Sequence, residues 1–412
     1  MTTTTTEATE IAGLVAGRLA TPEQGRALAG DRWWPQSLAH GAAGVALLHI
    51  ERARTGHGPW ERVQRWLECA IAEGADSSPS AHLYYGAPAV AFVLHRAATV
   101  RPGCERELAR LDRAVERIVL SRLEQAHARM DAGDLPLLAE FDTIRGLTGL
   151  GALLLARDPQ GPLFRDVLAY LVRLTAPVTV HGRTLPGWWS PVGPGGKKNA
   201  AFPGGHANTG MAHGIAGPLT LLAAALRRGI EANGHVEAIH HILVWLDTWE
   251  QTSPSGAWWP YWVTRAQLDG TRGLIGPQRP SWCYGAAGVA RAQLLAADAL
   301  GDQRRYATAQ SALARVFTEA PMALNSSLCH GRAGLAVLAH STALGNAPGL
   351  CAALSDGDAA AVTDDLVTGT GTGLLEGAAG IATALHTLHA PSPDMGWAAF
   401  LLLDYKEHHG DG

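Results

Sequence analysis

A short motif recurs along this chain and limits the folds that the chain can adopt. Each copy reads G-x-x-G and leads into a run of small apolar residues. The copies are HGAAGVALLHIERA from His40, YGAPAVAFVLHRAAT from Tyr85, RGLTGLGALLLARD from Arg145, HGIAGPLTLLAAALRR from His213, YGAAGVARAQLLAADAL from Tyr284, HGRAGLAVLAHSTAL from His330 and EGAAGIATALHTLHA from Glu376. The copy from Tyr85 lacks the second glycine but keeps the apolar run. One unit repeated at this spacing predicts a repeat architecture.

The spacing of the motif predicts what one unit contains. Successive first glycines, from Gly41 to Gly377, are 45, 60, 68, 71, 46 and 46 residues apart. An interval of 45 residues holds two helices and two connections, so the unit is a helical hairpin. The glycine-led runs are apolar nearly all round, which is typical of buried helices. The runs between them are more charged and carry apolar residues at helical spacing, as solvent-facing helices do; they begin at Trp60, Glu105, His235 and Asp302.

Buried helices paired with amphipathic ones predict an inner helical barrel wrapped by an outer one. Such hairpins form either an open solenoid or a closed toroid. Closure is favoured because no terminal hairpin looks like a polar capping repeat. We therefore predict an all-α fold, an α,α-toroid of seven helical hairpins, in a single domain spanning residues 1–412. The seventh outer helix is poorly patterned in the segment from Ala347, and the N-terminal EATEIAGLVAGRLA is the alternative element that completes the ring.

Two longer intervals contain segments that do not read as helices. Residues 177–210 and 253–282 are rich in glycine, proline and paired tryptophans, which predicts loops with short strands on one face. Long loops on a rigid scaffold are common binding sites, so this face is a candidate peptide-binding region. The tryptophans there form either a packing cluster under the loops or a wall for a peptide; they are Trp188, Trp189, Trp258, Trp259 and Trp262.

Composition narrows the class of protein. The net charge of -4 lacks the basic excess typical of nucleic-acid binding, so no nucleic-acid partner is expected. No apolar run reaches the roughly 18 to 20 residues that a membrane span needs. The N-terminus has no signal-peptide pattern, and five cysteines, an odd number, fit reduced thiols rather than a disulfide framework. These features predict a cytoplasmic protein with no transmembrane segment.

Most repeats place a polar or ionisable residue directly before the first glycine, and two repeats add a cysteine. Cys283 and Cys329 come just ahead of the glycines of adjacent repeats, and His330 follows Cys329. A lone cysteine is most often a small buried hydrophobic residue. Cysteines at equivalent positions of neighbouring repeats, together with an imidazole, instead suit zinc. Three protein ligands leave a fourth position open, which indicates a catalytic site able to activate a third thiol.

The chain resembles the lanthipeptide synthetase C family, the lanthionine-forming cyclases, over essentially its whole length. The resemblance is carried by the seven repeats and by four motifs: EFDTIRGLTG from Glu140, GMAHGIAG from Gly210, RPSWCYGAAG from Arg279 and LCHGRAG from Leu328. It implies an α,α-toroid and zinc bound by Cys283, Cys329 and His330. It also implies catalytic roles for His213, Asp142, Arg279 and Tyr284, which occupy the matching motif positions.

The family's reaction implies a partner dehydratase that converts serine and threonine of a precursor peptide to dehydroalanine and dehydrobutyrine. The cyclase then adds a cysteine thiol of the same peptide across the double bond, which gives a lanthionine or methyllanthionine thioether ring. The implied partners are the dehydrated precursor, with its leader and core, the dehydratase and an exporter complex. The implied setting is lantibiotic biosynthesis.

The reaction suggests a role for each residue. His213 is the expected proton relay, because histidine ordinarily titrates near neutral pH. Asp142 would orient that imidazole. Arg279 would stabilise the enolate or hold Asp142, and Tyr284 would donate to the enolate oxygen or support the zinc ligands. A plain salt bridge between Arg279 and Asp142 is the structural alternative.

Two other functions remain open at this level. A protein of the same architecture could add a free thiol, such as glutathione, to dehydrated residues, with the same zinc ligands but different loops. The second alternative is a non-catalytic toroid that serves as a scaffold. The presence of the expected zinc-binding and proton-transfer residues counts against this interpretation.

Overall fold

Helices make up most of the regular structure. The structure, a computed structural model, describes residues 2–254, 256–319, 324–344 and 347–403, so residue 255 of the second predicted insertion lies outside the described residues. The helices are α1 (Thr2–Arg18), α2 (Pro22–Ala29), α3 (Ala42–Arg54), α4 (Trp60–Ile71), α5 (Ala87–Val100), α6 (Glu105–Asp131), α7 (Leu138–Phe141), α8 (Leu147–Arg157), α9 (Pro162–Leu174), α10 (Ala216–Leu226), α11 (His235–Trp249), α12 (Arg265–Leu268), α13 (Ala286–Leu300), α14 (Gln303–Thr318), α15 (Arg332–Ser341), α16 (Ala347–Ala352), α17 (Ala359–Thr370) and α18 (Ala378–Leu388).

The strands are short and few. They are β1 (Val178–Val180), β2 (Arg183–Leu185), β3 (His206–Asn208), β4 (Gln251–Ser253), β5 (Gly256–Trp258) and β6 (Trp262–Thr264). The prediction of an all-α fold with small strand-containing insertions is confirmed. None of the described helices has both the length and the apolar character needed to cross a membrane.

The chain groups into two compact units. The first unit comprises Met1–Val115 and Pro321–Gly412, and the second comprises Glu116–Ala320. That residues 1–412 form a single domain stays a prediction.

The buried helix predicted in every repeat is present. These glycine-led helices are α3, α5, α8, α10, α13, α15 and α18. In α10 every residue from Ala216 to Ala225 is buried, and in α18 every residue from Ala378 to Thr387 is buried. Burial on all sides explains why these helices are built from alanine, leucine and glycine, whose small or flexible side chains pack closely against neighbouring helices.

The glycines of the motif allow a loop to fold back onto the first turn of each helix. The carbonyl oxygen of Ser327, four residues before Gly331, accepts hydrogen bonds from the backbone N–H groups of Gly331 (3.1 Å) and Gly334 (3.2 Å). A side chain at Gly334 would collide with the backbone of Leu328 in that loop. The same carbonyl-to-glycine contacts recur at Ser37 and at Asp142. We call this element the repeat turn.

In the second unit, backbone hydrogen bonds join successive repeat turns. The N–H of Thr143 donates to the carbonyl of Ala212 at 3.0 Å, and the N–H of Ala212 donates to the carbonyl of Cys283 at 3.2 Å. Three repeats therefore hold their turns side by side, which brings the residues that precede the glycines together.

The first unit shows the same ladder across the chain ends. The N–H of Cys329 donates to the carbonyl of Leu375 at 2.9 Å, and the N–H of Leu374 donates to the carbonyl of Ala39 at 2.9 Å. The last repeat is thereby bonded to the first, as the preference for closure over an open solenoid anticipated. Leu38 continues the ladder to the second repeat, with its N–H 3.0 Å from the carbonyl of Tyr84.

Amphipathic helices follow the glycine-led ones. Those predicted from Trp60, Glu105, His235 and Asp302 are α4, α6, α11 and α14. The amphipathic helix α9 was not predicted, although its buried side chains recur at helical spacing. In the first unit α1 packs against α17 and α18, so the N-terminal segment and the segment from Ala347 both cover the last repeat.

The two insertions are tied together by one pair of strands. β3, from the first insertion, pairs antiparallel with β6, from the second, and Asn208 lies opposite Trp262. The hairpins β1–β2 and β4–β5 complete the strand structure of this region. Four of the five tryptophans singled out in the insertions are buried, which supports the packing interpretation for them; they are Trp188, Trp189, Trp258 and Trp259.

We predict that His49 makes stability depend on pH. Burial lowers the pKa of His49 from its usual 6.5 to about 4, and its Nε2 lies 2.7 Å from the carbonyl oxygen of Leu19, at the end of α1. Between pH 6.5 and 4 the imidazole of His49 is protonated in the unfolded chain but not in the folded chain. The free energy of unfolding therefore falls as the pH drops from about 6.5 towards 4. His49→Gln should reduce that slope by up to about 1.4 kcal/mol per pH unit.

Urea denaturation at several pH values from 4 to 7 measures the slope. His241→Gln, an exposed change on α11, is the control and should leave the slope unchanged. Equal slopes for the wild-type chain and His49→Gln would contradict the prediction.

Candidate active site

A serine or aspartate occupies the position four residues before the first glycine in several repeat turns, and its side chain holds the residue just before the glycine. The Ser281 hydroxyl accepts from the N–H of Tyr284 at 3.3 Å, and the Ser327 hydroxyl accepts from the N–H of His330 at 3.3 Å. Ser281 Oγ also lies 3.5 Å from Cys283 Sγ. The turn therefore fixes the backbone of the polar residue that begins the helix.

Asp142 fills this position in the third repeat and offers one oxygen more than a serine. Its Oδ1 accepts from the N–H groups of Arg145 (2.6 Å) and Gly146 (2.9 Å). Its Oδ2 lies 2.6 Å from Nδ1 of His213, and the carboxylate is only 1% exposed. Because an ionised carboxylate only accepts, Nδ1 of His213 carries the proton and Nε2 can exchange one with a substrate.

Tyr284 lies beside this pair in a group of aromatic rings. Its ring centroid is 6.3 Å from that of His213, 5.0 Å from that of Tyr261 and 6.2 Å from that of Trp262. The Tyr284 hydroxyl accepts from Nδ2 of Asn208 at 3.1 Å. The rings of Tyr261 and Trp262, which come from the second insertion, are half-buried. Tyr284 is thus held between the proton-exchanging imidazole and the insertion.

Arg279 is exposed and contacts the aromatic group through its backbone. The hydroxyl of Tyr261 donates to the carbonyl oxygen of Arg279 at 2.7 Å. Burial raises the pKa of Tyr261, and so does the charge of Cys283, whereas the charge of Arg279 lowers it. Asp142 pairs with His213, and the residues described here contain no ion pair between Asp142 and Arg279. The salt-bridge alternative for these two residues is therefore not found.

Comparisons with known proteins identify the family. The sequence model of the family described as "Lanthionine synthetase C-like protein" matches residues 32–402. The chain belongs to this family. A solved structure, "Nisin cyclase", is similar with a TM-score of 0.77, although only 20% of residues are identical; the match covers 95% of this chain and 96% of that one. The fold of nisin cyclase is a helical toroid, the class predicted from the sequence. No curated protein sequence matches the chain.

This lanthionine synthetase C-like chain carries a set of side chains suited to zinc. Cys283 in the second unit and Cys329 in the first each offer a thiol, and His330 in the first unit offers an imidazole. Two thiols and an imidazole are ligands that zinc prefers. In the first unit, Nδ1 of His330 lies 3.8 Å from Oε1 of Glu376, which is longer than a hydrogen bond but close enough for electrostatic attraction. The chemistry of the side chains, two thiols and one imidazole, fits a zinc ion.

Two residues of the site were underestimated or missed by sequence reasoning. From the sequence, Asn208 is only a candidate for a supporting role because it lies near His213, and Tyr261 lies among tryptophans that are the more conspicuous residues of their segment. Both lie next to Tyr284 because β3 pairs with β6. The signal for Tyr261 was present in the sequence WWPYWV from Trp258, an aromatic run in a predicted functional loop.

We predict that the close packing of Gly210 against Cys283 and Tyr284 tolerates no side chain at position 210. A Cβ atom at Gly210 would lie 2.6 Å from the carbonyl oxygen of Cys283 and 2.7 Å from Cδ1 of Tyr284. Since one of these neighbours is backbone, Gly210→Ala should lower the free energy of unfolding by about 1–3 kcal/mol. Gly195→Ala, where nothing lies within 4 Å, should change it by less than about 0.5 kcal/mol. Urea midpoints measure both, and equal midpoints would show that Gly210 is not closely packed.

Proposed function

We propose that this protein is a zinc-dependent lanthipeptide cyclase. It would catalyse the intramolecular addition of peptide cysteine thiols to dehydroalanine and dehydrobutyrine, which forms lanthionine and methyllanthionine rings. Membership of the lanthionine synthetase C-like family supports this function, and so does the fold shared with a protein named nisin cyclase. The acid–base pair beside Cys283 supplies the chemical support.

The observation that carries the proposal is the bond between His213 and Asp142. A buried carboxylate, 2.6 Å from Nδ1, fixes both the tautomer and the orientation of the imidazole. The 35% exposure of the His213 side chain leaves it accessible to a substrate. A fixed, accessible imidazole with a proton-exchanging Nε2 is the arrangement that general acid–base catalysis requires.

Cys283, Cys329 and His330 are proposed to hold the zinc ion. Bound there, zinc would supply a Lewis acid that lowers the pKa of a coordinated thiol, so that the thiolate is available near neutral pH. The Ser281 hydroxyl lies 3.5 Å from Cys283 Sγ, and Glu376 lies beside His330. Both residues would help to hold the ligand side chains in position.

The other residues act on the peptide. When the cysteine sulfur bonds to the β-carbon of the dehydro residue, the π electrons move to the amide oxygen as an enolate, and the α-carbon then takes up a proton. Nε2 of His213 takes up the proton that the thiol loses and returns it to the α-carbon, so that no proton is gained or lost overall. The Tyr284 hydroxyl and the Arg279 guanidinium stabilise the enolate charge. Exposure of Arg279 suits a side chain that meets a substrate.

The proposed substrate is a dehydrated precursor peptide with its leader and core, produced by a partner dehydratase in the cytoplasm and passed to an exporter. The biological role would be biosynthesis of a lantibiotic, an antibiotic peptide. The insertions, residues 177–210 and 253–282, are proposed as the peptide-binding face, and the half-buried rings of Tyr261 and Trp262 are parts of it that lie beside Tyr284.

We predict that the wild-type chain binds about one zinc ion and that Cys329→Ala loses it, because removing a thiolate leaves two protein ligands. Metal analysis after dialysis against limiting zinc measures the stoichiometry. Cys69→Ala is the control, since burial raises the pKa of the Cys69 thiol and that residue is outside the candidate ligand set. Retention of zinc by Cys329→Ala would contradict the assignment.

The cyclase activity is tested by expressing a candidate precursor and its dehydratase with and without this protein. Thiol alkylation followed by mass spectrometry counts the thiols that remain. Cyclisation consumes thiols without changing peptide mass, whereas addition of glutathione increases the mass. We expect the wild-type chain to consume thiols and His213→Asn to do so about 10²- to 10⁴-fold more slowly, because asparagine cannot relay the proton.

His241→Asn, an exposed change on α11, controls for the substitution itself and should cyclise at the wild-type rate. Unchanged thiols with the wild-type chain would overturn the proposed function. A His213→Asn chain that binds zinc and cyclises at the normal rate would remove His213 from the mechanism.

A further inference from the structure

The two insertions carry a positive charge that the rest of the chain does not. Residues 177–210 and 253–282 contain six lysine and arginine residues and one acidic residue, a net charge of +5, although the whole chain has a net charge of -4. The remaining residues together therefore carry a net charge of -9. Lys197 and Lys198 are two of the three lysines in the sequence. Positive charge is thus concentrated in the segments proposed to bind the peptide.

Little of this charge is neutralised within the protein. Asp269, the one acidic residue of the insertions, forms an ion pair with Arg183. Within the described part of the chain, the other five cationic residues form no ion pair; they are Lys197, Lys198, Arg265, Arg272 and Arg279. We call these five residues the basic insertion surface. All of them except Arg265 are exposed, so their charges are available to a ligand.

The two lysines lie in a loop that is attached to strand β3. Nδ1 of His206, in β3, lies 2.8 Å from the carbonyl oxygen of Val192, at the start of the loop. The N–H of Gly193 then donates to the carbonyl oxygen of Lys197 at 2.9 Å, which closes a turn in front of Lys198. The loop is therefore held at both points, and its lysine side chains are left to the solvent.

The arginines lie around strand β6, the partner of β3. Arg265 directly follows the last residue of β6. The N–H of Arg272 donates to the carbonyl oxygen of Ala266 at 3.0 Å, which folds Arg272 back towards the same strand end. The carbonyl oxygen of Arg279 accepts from the hydroxyl of Tyr261, the residue before β6, at 2.7 Å. Because β3 and β6 are paired, lysines and arginines share one region of the second unit.

Apolar groups are interspersed among these charges. The half-buried ring of Phe202 lies 5.4 Å from that of Trp262, and the ring of Trp262 lies 6.2 Å from that of Tyr284. Ile275, in the loop that follows Arg272, is 73% exposed. A ligand that complements this region therefore needs both anionic groups and apolar side chains.

We propose that the basic insertion surface binds a segment of the precursor peptide in which acidic and apolar residues are interspersed. The inference rests on the proposed function, because that function makes a peptide the substrate. A short acidic segment fits within the basic region, whereas a nucleic acid would extend beyond it and meet a chain of opposite net charge. The rings of Phe202 and Trp262 lead from this region to Tyr284, so the bound segment would hold the reacting part of the peptide near the candidate site.

Binding is tested with two fluorescent peptides, one of Asp-Leu-Gly repeats and one of Asn-Leu-Gly repeats. Fluorescence anisotropy should show that the wild-type chain prefers the Asp peptide and that salt removes the preference, because salt screens exposed charges. Lys197→Glu combined with Lys198→Glu should weaken binding of the Asp peptide about tenfold and leave binding of the Asn peptide nearly unchanged. Arg272→Glu should act in the same direction.

A matched control reverses two exposed charges on α6. Arg113→Glu combined with Arg117→Glu changes the net charge of the chain by the same amount and should leave both affinities unchanged. Urea midpoints measured on all variants show that each chain is folded. Equal wild-type affinities for the two peptides would overturn the inference, and so would equal losses from the lysine and α6 variants.

Kinetics connects the surface to the substrate. With a dehydrated precursor that cyclises, the double lysine variant should raise KM about tenfold and leave kcat unchanged, because it removes binding that substrate and transition state share. Replacing the acidic residues of the precursor by their amides should raise KM for the wild-type chain and cause little further increase in the lysine variant. Additive increases in KM would contradict direct contact between these groups.

The remaining outcomes separate this inference from others. An oligothymidylate that binds the wild-type chain more tightly than the Asp peptide, and that is released by the lysine substitutions, would assign the surface to nucleic acid and overturn the inference. A wild-type chain that leaves precursor thiols untouched contradicts the proposed cyclase function. The anisotropy measurements require no reaction, so they decide the charge preference of the surface independently of that result.

Discussion

One backbone carbonyl, four residues before the first glycine of a repeat, holds the repeat turn closed. The carbonyl of Ser327 bonds both glycine N–H groups of its motif, and Asp142 and Ser37 do the same in theirs. The loop can approach the helix this closely only where side chains are absent, as at Gly334. The glycines are therefore required by the contact between loop and helix, and the buried helices depend on that contact for their starting point.

The candidate site consists of variations on this turn. Three turns use a serine hydroxyl to hold the residue before the glycine, and the serines are Ser37, Ser281 and Ser327. Asp142 performs the same task with one oxygen and orients His213 with the other. Asn208 likewise caps its turn with one end of the amide and contacts Tyr284 with the other. The same side chains close the turns and contact the candidate catalytic residues. The bonds that close the turns therefore also hold the site rigid.

The helices of each repeat could be predicted from the sequence, whereas contacts between segments far apart in the sequence could not. The buried helices and most amphipathic helices follow from motifs at fixed positions in each repeat, and the pairing of Asp142 with His213 was expected from the family resemblance. The neighbourhood of Tyr284 does not, since Tyr261 reaches it only because β3 and β6 pair across more than fifty residues. Strands of three residues leave no periodic signal. Arg279 was identified from its motif, but its partner there is Tyr261 through the backbone rather than Asp142 through a salt bridge.

The bond from Leu374 to Ala39 joins the end of the chain to its beginning within one unit. During synthesis, α3 leaves the ribosome long before its partner α18, because the whole second unit is made between them. The second unit is contiguous in sequence and has no such delay. The first unit must therefore keep apolar helices without their final neighbours while the second unit is synthesised, a period in which exposed apolar surface favours association with other chains. The arrangement that joins two distant segments in one unit thus makes that unit the later of the two to be completed.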